Sequence, residues 1–173
     1  LTDDLTRDYE AFFDWANGHG IAVALDTGWP MEGWTPANCK AARTWLARCD
    51  LALLNEVETV TLAGLPDPVE AARQIQSSMK KGATAVVKRG PEGAIAIGPG
   101  GALVTATAPD VKVVDTIGAG DVFNAAFLAA LAQDQTLTAS LAAATQVASR
   151  AISTLPRNYG EPMHPRKATH ERA

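Results

Sequence analysis

Three short strand-like runs, residues 21–25, 51–54 and 84–88, constrain this chain most, and the first two are continuously apolar instead of alternating. Such runs suit strands buried on both faces, which is the condition of a parallel sheet, and parallel strands need helical crossovers between them. Crossover signals lie where they are required. Thr35-Pro36 pairs a capping residue with proline at the first helical position. Asp67-Pro68-Val69-Glu70 repeats that signal with capping-box spacing, and Gly82 closes the helix after Lys80-Lys81. Ahead of the first run, Thr2-Asp3-Asp4 caps a helix carrying Leu5, Tyr9, Phe12, Phe13 and Ala16, which Asn17-Gly18-His19-Gly20 ends. Turns at 90–93 and at Pro99-Gly100-Gly101 bracket residues 94–97 and 102–105 as a hairpin.

Residues 111–114 then lead, as an apolar strand, into a glycine-rich string and two helices. The first helix buries Val122, Phe123, Ala126, Phe127 and Ala130. The second places Leu137, Leu141, Ala144, Val147, Ala148, Ala151, Ile152 and Leu155 at helical spacing. Residues 160–173 read as a polar surface tail. The order αβαβαβββαα predicts an α/β sheet with helices on its faces.

Composition narrows the function classes. With 173 residues and 47% hydrophobic content the chain can build one globular core. A net charge of -4 gives no general attraction to nucleic acid or anionic membranes, which points to a small-molecule partner. Cys39 and Cys49 form no metal-type C-x-x-C pair, so free thiols, no zinc site and a reducing, cytoplasmic setting are expected. His19, His164 and His170 are scattered and carry no chemical assignment. The sequence shows no signal peptide and no apolar run near the roughly 18 residues of a membrane span.

The chemistry concentrates in Val114-Asp115-Thr116-Ile117-Gly118-Ala119-Gly120-Asp121-Val122-Phe123-Asn124. Gly118 and Gly120 permit backbone angles closed to other residues, so successive N–H groups can converge on an anion at the positive end of a helix. Asp121 at that helix start has two readings. It is an N-cap, or it is a general base that takes a proton from an attacking hydroxyl while the N–H groups hold a phosphoryl group. Asn55-Glu56-Val57-Glu58 is equally two-sided, a helix-start Asn with a first-turn Glu or an oxygen pair suited to Mg²⁺ through water. Asp26 follows the carboxyl end of the first strand, where ligands gather in open α/β sheets, and is either a turn residue or a substrate contact. Lys88 either meets phosphate as a point charge or is solvated.

The string from Asp115 to Asp121 closely resembles the D-T-x-G-A-G-D signature of the ribokinase-like (PfkB) carbohydrate kinases. Asn55-Glu56-Val57-Glu58 is similar to that family's N-x-x-E motif, and Lys88-Arg89-Gly90-Pro91-Glu92-Gly93 to its nucleotide-site strand turn, in the family's order. The resemblance implies a ribokinase-like three-layer α/β/α fold, mostly parallel with a β-hairpin. It also implies an ATP-dependent transfer of phosphoryl to a sugar hydroxyl. By it, Asp121 is the base, and Gly118, Ala119 and Gly120 form the anion hole. Lys88, Gly90, Gly93 and Thr116 line the nucleotide site, while Asn55 and Glu58 organise Mg²⁺. Asp115, with the Ile117 and Ala151 carbonyls, is implied as a monovalent-cation (K⁺) site, although residues 153–160 depart from the usual Gly-containing turn.

Family members are roughly twice this length, which makes residues 1–159 resemble a C-terminal nucleotide-binding portion without the sugar-reading half. A catalytically incompetent nucleotide-binding fragment is therefore the alternative to an active kinase, and a homodimer is expected only of a full-length protein. Other classes fit less well. A dinucleotide-binding motif needs a small residue where Phe123 stands, no G-x-x-x-x-G-K-S/T is present, and Ala119 with Asp121 favours the carbohydrate branch over vitamin-type kinases.

Overall fold

The computed structural model describes residues 3–160; the tail beyond, with His164 and His170, lies outside the described residues. The chain divides into two compact units, Leu1–Thr105 and Ala106–Ala173.

The first unit alternates helices and strands: α1 (Asp3–Gly18), β1 (Ala24–Leu25), α2 (Pro36–Leu46), β2 (Leu51–Asn55), α3 (Glu56–Ala63), α4 (Pro68–Ser78), β3 (Thr84–Lys88), β4 (Ala94–Ile97) and β5 (Leu103–Ala106). The strands form one sheet in the order β1-β2-β3-β4-β5. β1, β2 and β3 run parallel, with Leu51 opposite Thr84 and Asn55 opposite Lys88, while β4 is antiparallel to β3. The architecture is thus α/β with a mixed sheet, and 94–97 and 102–105 are neighbours as expected.

Side chains alternate across β2 and β3. Ala52, Leu54 and Ala85 join a cluster with Phe13, Ala16, Ala42, Trp45, Leu46 and Leu62, while Leu53 and Val86 point the opposite way and are also buried. Both faces being covered explains why the run of β2 is continuously apolar.

Three details differ from the sequence reading. The first run shortens to Ala24–Leu25, with Ile21 48% exposed, because β1 pairs on one side only, with β2. An extra helix, α3, sits between β2 and α4, since Gly64 in the left-handed conformation (φ 71°) ends it before Asp67 starts the next. Finally, Phe12 of α1 is 55% exposed; its neighbours Phe13 and Ala16 are the buried ones.

The second unit is a helical hairpin of α5 (Ala119–Leu131) and α6 (Leu137–Ser153), the latter capped by Thr136, whose side chain accepts from Ala139 N. Phe123, Ala126, Phe127 and Ala130 of α5 and Leu141, Ala144 and Ala151 of α6 are buried, with Phe123 and Phe127 stacked. Leu155 is 81% exposed, because α6 ends two residues earlier. Residues 111–114 form no strand. The Val114 and Asp115 N–H groups both donate to the Ile152 carbonyl, at 2.8 and 3.2 Å, which ties this segment to the end of α6.

Candidate active site

In the first unit the carboxyl ends of the three parallel strands bring chemistry together. Asn55 is both the last residue of β2 and the N-cap of α3. Its Oδ1 accepts from Glu58 N (2.8 Å), and Glu58 Oε2 accepts from Asn55 N (2.9 Å), a reciprocal capping box. The N-x-x-E spacing is therefore satisfied locally as a helix start. Thr59 reinforces it by donating to the Asn55 carbonyl at 2.7 Å.

Glu58 is nonetheless unusual for a first-turn acid, since it is only 2% exposed. Burial pushes its carboxyl above the ordinary glutamate range, with the Asn55 N–H and the Lys88 charge opposing and the Asp26 charge assisting. Lys88, at the end of β3, pairs with Asp26, just past β1, at 2.6 Å. Asp26 also closes its own turn by accepting from Gly28 N. The sequence left Lys88 between phosphate and solvent; the structure gives it a carboxylate partner and 13% side-chain exposure.

Beyond Lys88, Arg89 bridges Glu56 (2.7 Å) and Glu92, and Arg89 N donates to the Gly93 carbonyl (2.8 Å), which folds the Gly90–Glu92 turn back on the strand end. Gly90 and Gly93 both take positive φ, 56° and 89°, so that turn requires glycine at both places.

A cavity of about 520 Å³ opens beside Asp26, lined by Thr27, Trp29, Trp34, Asn38 and Trp45 among others. The Trp34 Nε1 and Thr27 Oγ1 atoms are buried without hydrogen-bond partners. Sequence reasoning did not select these residues, although three of the chain's four tryptophans fall between 29 and 45.

The second unit holds the glycine string. Gly118 is the N-cap of α5 in the left-handed conformation (φ 69°), which glycine adopts freely. Gly120 lies inside the first turn of α5 and has no positive φ, which corrects the expectation that both glycines need special angles. Ala119 N donates to the Thr116 carbonyl and Val122 N to the Gly118 carbonyl. The early N–H groups of α5 thus emerge at Gly118 with the positive end of the helix dipole.

Asp121 sits in the first turn and is exposed. Since the N-cap position belongs to Gly118, the capping reading of Asp121 fails. Its Oδ2 lies 3.7 Å from where a Cβ on Gly118 would be. Asp115 precedes this turn. Its Oδ1 accepts from Ile117 N (2.9 Å) and its Oδ2 from Arg157 Nη2 (2.5 Å), and these two donors hold its carboxyl below the usual range. Thr116 and Ile117 are exposed and Ala151 is buried in α6. Arg157, the partner of Asp115, lies within the segment 153–160 that departs from the usual Gly-containing turn.

Comparison with known proteins fits this geometry. Mouse ketohexokinase is 43% identical over 88 residues, which are 50% of this chain and 30% of the mouse protein. The structure of Arabidopsis thaliana ribokinase complexed with ribose and ATP superposes with a TM-score of 0.69 at 27% identity, covering 82% of this chain and 45% of that one. Aminoimidazole riboside kinase from Salmonella enterica, complexed with aminoimidazole riboside and an ATP analog, gives a TM-score of 0.69 at 20% identity over 84% of this chain and 50% of its own. The chain spans half or less of the length of each of these relatives. The profile of pfkB family carbohydrate kinases matches residues 2–159, and the chain belongs to that family.

Proposed function

We propose that this chain carries the nucleotide site and general base of an ATP-dependent kinase acting on a sugar hydroxyl. The observation that carries the reading is the α5 start: a left-handed glycine cap presents unpaired N–H groups, and beside it stands a solvent-facing Asp121 that does not cap the helix.

Phosphoryl transfer asks little covalent chemistry of a protein; it needs positioning and charge stabilisation where charge develops. The N–H groups at Gly118 and Gly120 would bind the oxygens of the transferring phosphoryl group, and the Ala119 N–H, which donates to the Thr116 carbonyl, would have to leave that bond to join them. Asp121 would accept the proton of the acceptor hydroxyl as its oxygen bonds to the terminal phosphorus and the bond to the ADP oxygen breaks. In the first unit, Gly90, Gly93 and Lys88 would contact the nucleotide. Asn55 and Glu58 would hold the waters around Mg²⁺. One buried carboxylate and one amide are a poor direct cage but a suitable outer-sphere set for an ion that keeps several waters, and among the described residues no group of three or more His, Cys, Asp or Glu could hold a metal directly. When bound, Mg²⁺ neutralises phosphate charge.

The alternative, a nucleotide-binding chain without transferase activity of its own, is favoured by the coverage of half or less of the relatives. Phosphorylation of a panel of sugars and nucleosides by this chain, and by any longer product containing it, separates the two. The expected result is weak ATP binding with little transfer by this chain alone. Robust transfer by it would remove the alternative, and transfer by none of the products would remove the kinase reading.

A further inference from the structure

We propose that Arg157 is a positioning residue that supplies the Asp115 turn with the positive charge a monovalent cation would otherwise bring, so that the turn and the α5 start built on it form without K⁺. The family resemblance offers Asp115, Ile117 and Ala151 to such an ion, and the arrangement around Asp115 does not fit it. Both carboxylate oxygens already accept a hydrogen bond, Oδ1 from the Ile117 N–H at 2.9 Å and Oδ2 from the Arg157 guanidinium at 2.5 Å.

The guanidinium Nη1 lies 3.6 Å from where a Cβ on Gly118 would sit, so it fills the space beside the turn. A second cation at Asp115 would face a like charge at contact range, which repels it. Arginine suits this place better than lysine, because its planar fork stays charged at every accessible pH and donates in fixed directions. The segment that carries Arg157 is also the one whose sequence departs from the family's Gly-containing turn.

The pair sits beside the end of α6. Asp115 is fastened to the end of α6 through its N–H to the Ile152 carbonyl, and Arg157, four residues past that helix, pairs with its carboxylate. Together they fix the direction in which residues 115–118 approach α5. The inference depends on the kinase reading only for what this turn serves, and its test uses neither nucleotide nor turnover.

The test is thermal unfolding of this chain in KCl, NaCl and tetramethylammonium chloride at equal ionic strength, followed by calorimetry, with Tl⁺ linewidths in thallium NMR as a direct probe of cation binding. Wild type should melt within about 1 °C in all three salts, since only a bound ion shifts the midpoint by mass action, and should leave the Tl⁺ line sharp. Arg157→Gln should lose about 2–4 °C, the shift expected when roughly one charged contact is removed from a chain of this size, with Arg157→Lys intermediate. A wild-type midpoint higher in KCl than in tetramethylammonium chloride, or Tl⁺ broadening by wild type, would overturn the proposal. So would an Arg157→Lys variant no more stable than Arg157→Gln. If Arg157→Gln does not fold, the wild-type salt series and Tl⁺ measurement still decide.

Discussion

Glu58→Gln separates the two roles that converge on one residue. The capping box uses Glu58 as an acceptor for the Asn55 N–H at 2.9 Å and as a donor through its own N–H to Asn55 at 2.8 Å. Glutamine keeps both bonds, because its side-chain carbonyl replaces the carboxylate oxygen. What it removes is a buried negative charge whose carboxyl is pushed upward mainly by desolvation. The neutral variant should therefore be at least as stable as wild type near neutral pH.

Asn55→Ala, which deletes the cap acceptor, should cost about 1 kcal/mol. Glu58→Ala, which strands a partly buried N–H as well as opening a cavity, should cost about 1–3 kcal/mol. These convert to about 2–4 °C per kcal/mol in a chain of this length. The sign with pH follows from linkage: a carboxyl raised in the folded state destabilises above its folded pKa, and the penalty disappears below the ordinary, unfolded value. Any advantage of Glu58→Gln should hence be largest at neutral pH and fade on acidification toward the ordinary glutamate range. Urea unfolding across that range measures it. A glutamine variant much less stable than wild type at neutral pH, or a difference that grows on acidification, would refute the reasoning. If the carboxylate serves magnesium as well, the same variant should lose transfer while keeping its fold.

Asp121→Asn should lower kcat by ~10²–10⁴-fold with nucleotide affinity retained, in an active product containing this chain; near-normal kcat would remove Asp121 as the base. Cys49 is fully buried, donates to the Trp45 carbonyl at 3.2 Å, and is pushed from 9.0 to about 12 by burial. Its raised folded pKa means stability is intact below the unfolded value and is lost as pH rises past it, so wild type relative to Cys49→Ala should lose about 1.4 kcal/mol between pH 8 and about 10 in denaturant titrations. Ser140 Oγ is fully buried on α6 without a partner, and Ser140→Ala should stabilise by about 1 kcal/mol in calorimetry, because it removes an unpaid desolvation.

Much of the fold was legible because the signals were local. A continuous apolar run marked β2 and the Ala85-Val86-Val87 centre marked β3, and Thr35, Asp67 and Thr136 mark helix starts by their own side chains. The misreadings came from tertiary context. Residues 21–25 are as apolar as β2 and 111–114 carry three valines, but one has a partner on one side only and the other is tied to the Ile152 carbonyl instead of a neighbouring strand. At the site, the glycine string and Asn55–Glu58 were visible as motifs, and the role of Gly118 followed from its need for positive φ. Two pairings could not be read: Lys88 with Asp26, 62 residues apart, and Asp115 with Arg157, 42 apart. Both join segments whose sequences carry no shared pattern.

The placement of the tryptophans has a practical consequence. Trp15, Trp29, Trp34 and Trp45 are the only indoles of the chain and all belong to the first unit. Three of them line the cavity beside Asp26. Intrinsic fluorescence will therefore follow that loop and its unit, and a solute entering the cavity would announce itself without a label. The unit that carries Asp121 is spectroscopically dark at these wavelengths, so an unfolding curve taken by tryptophan emission alone would pass over half of the chemistry.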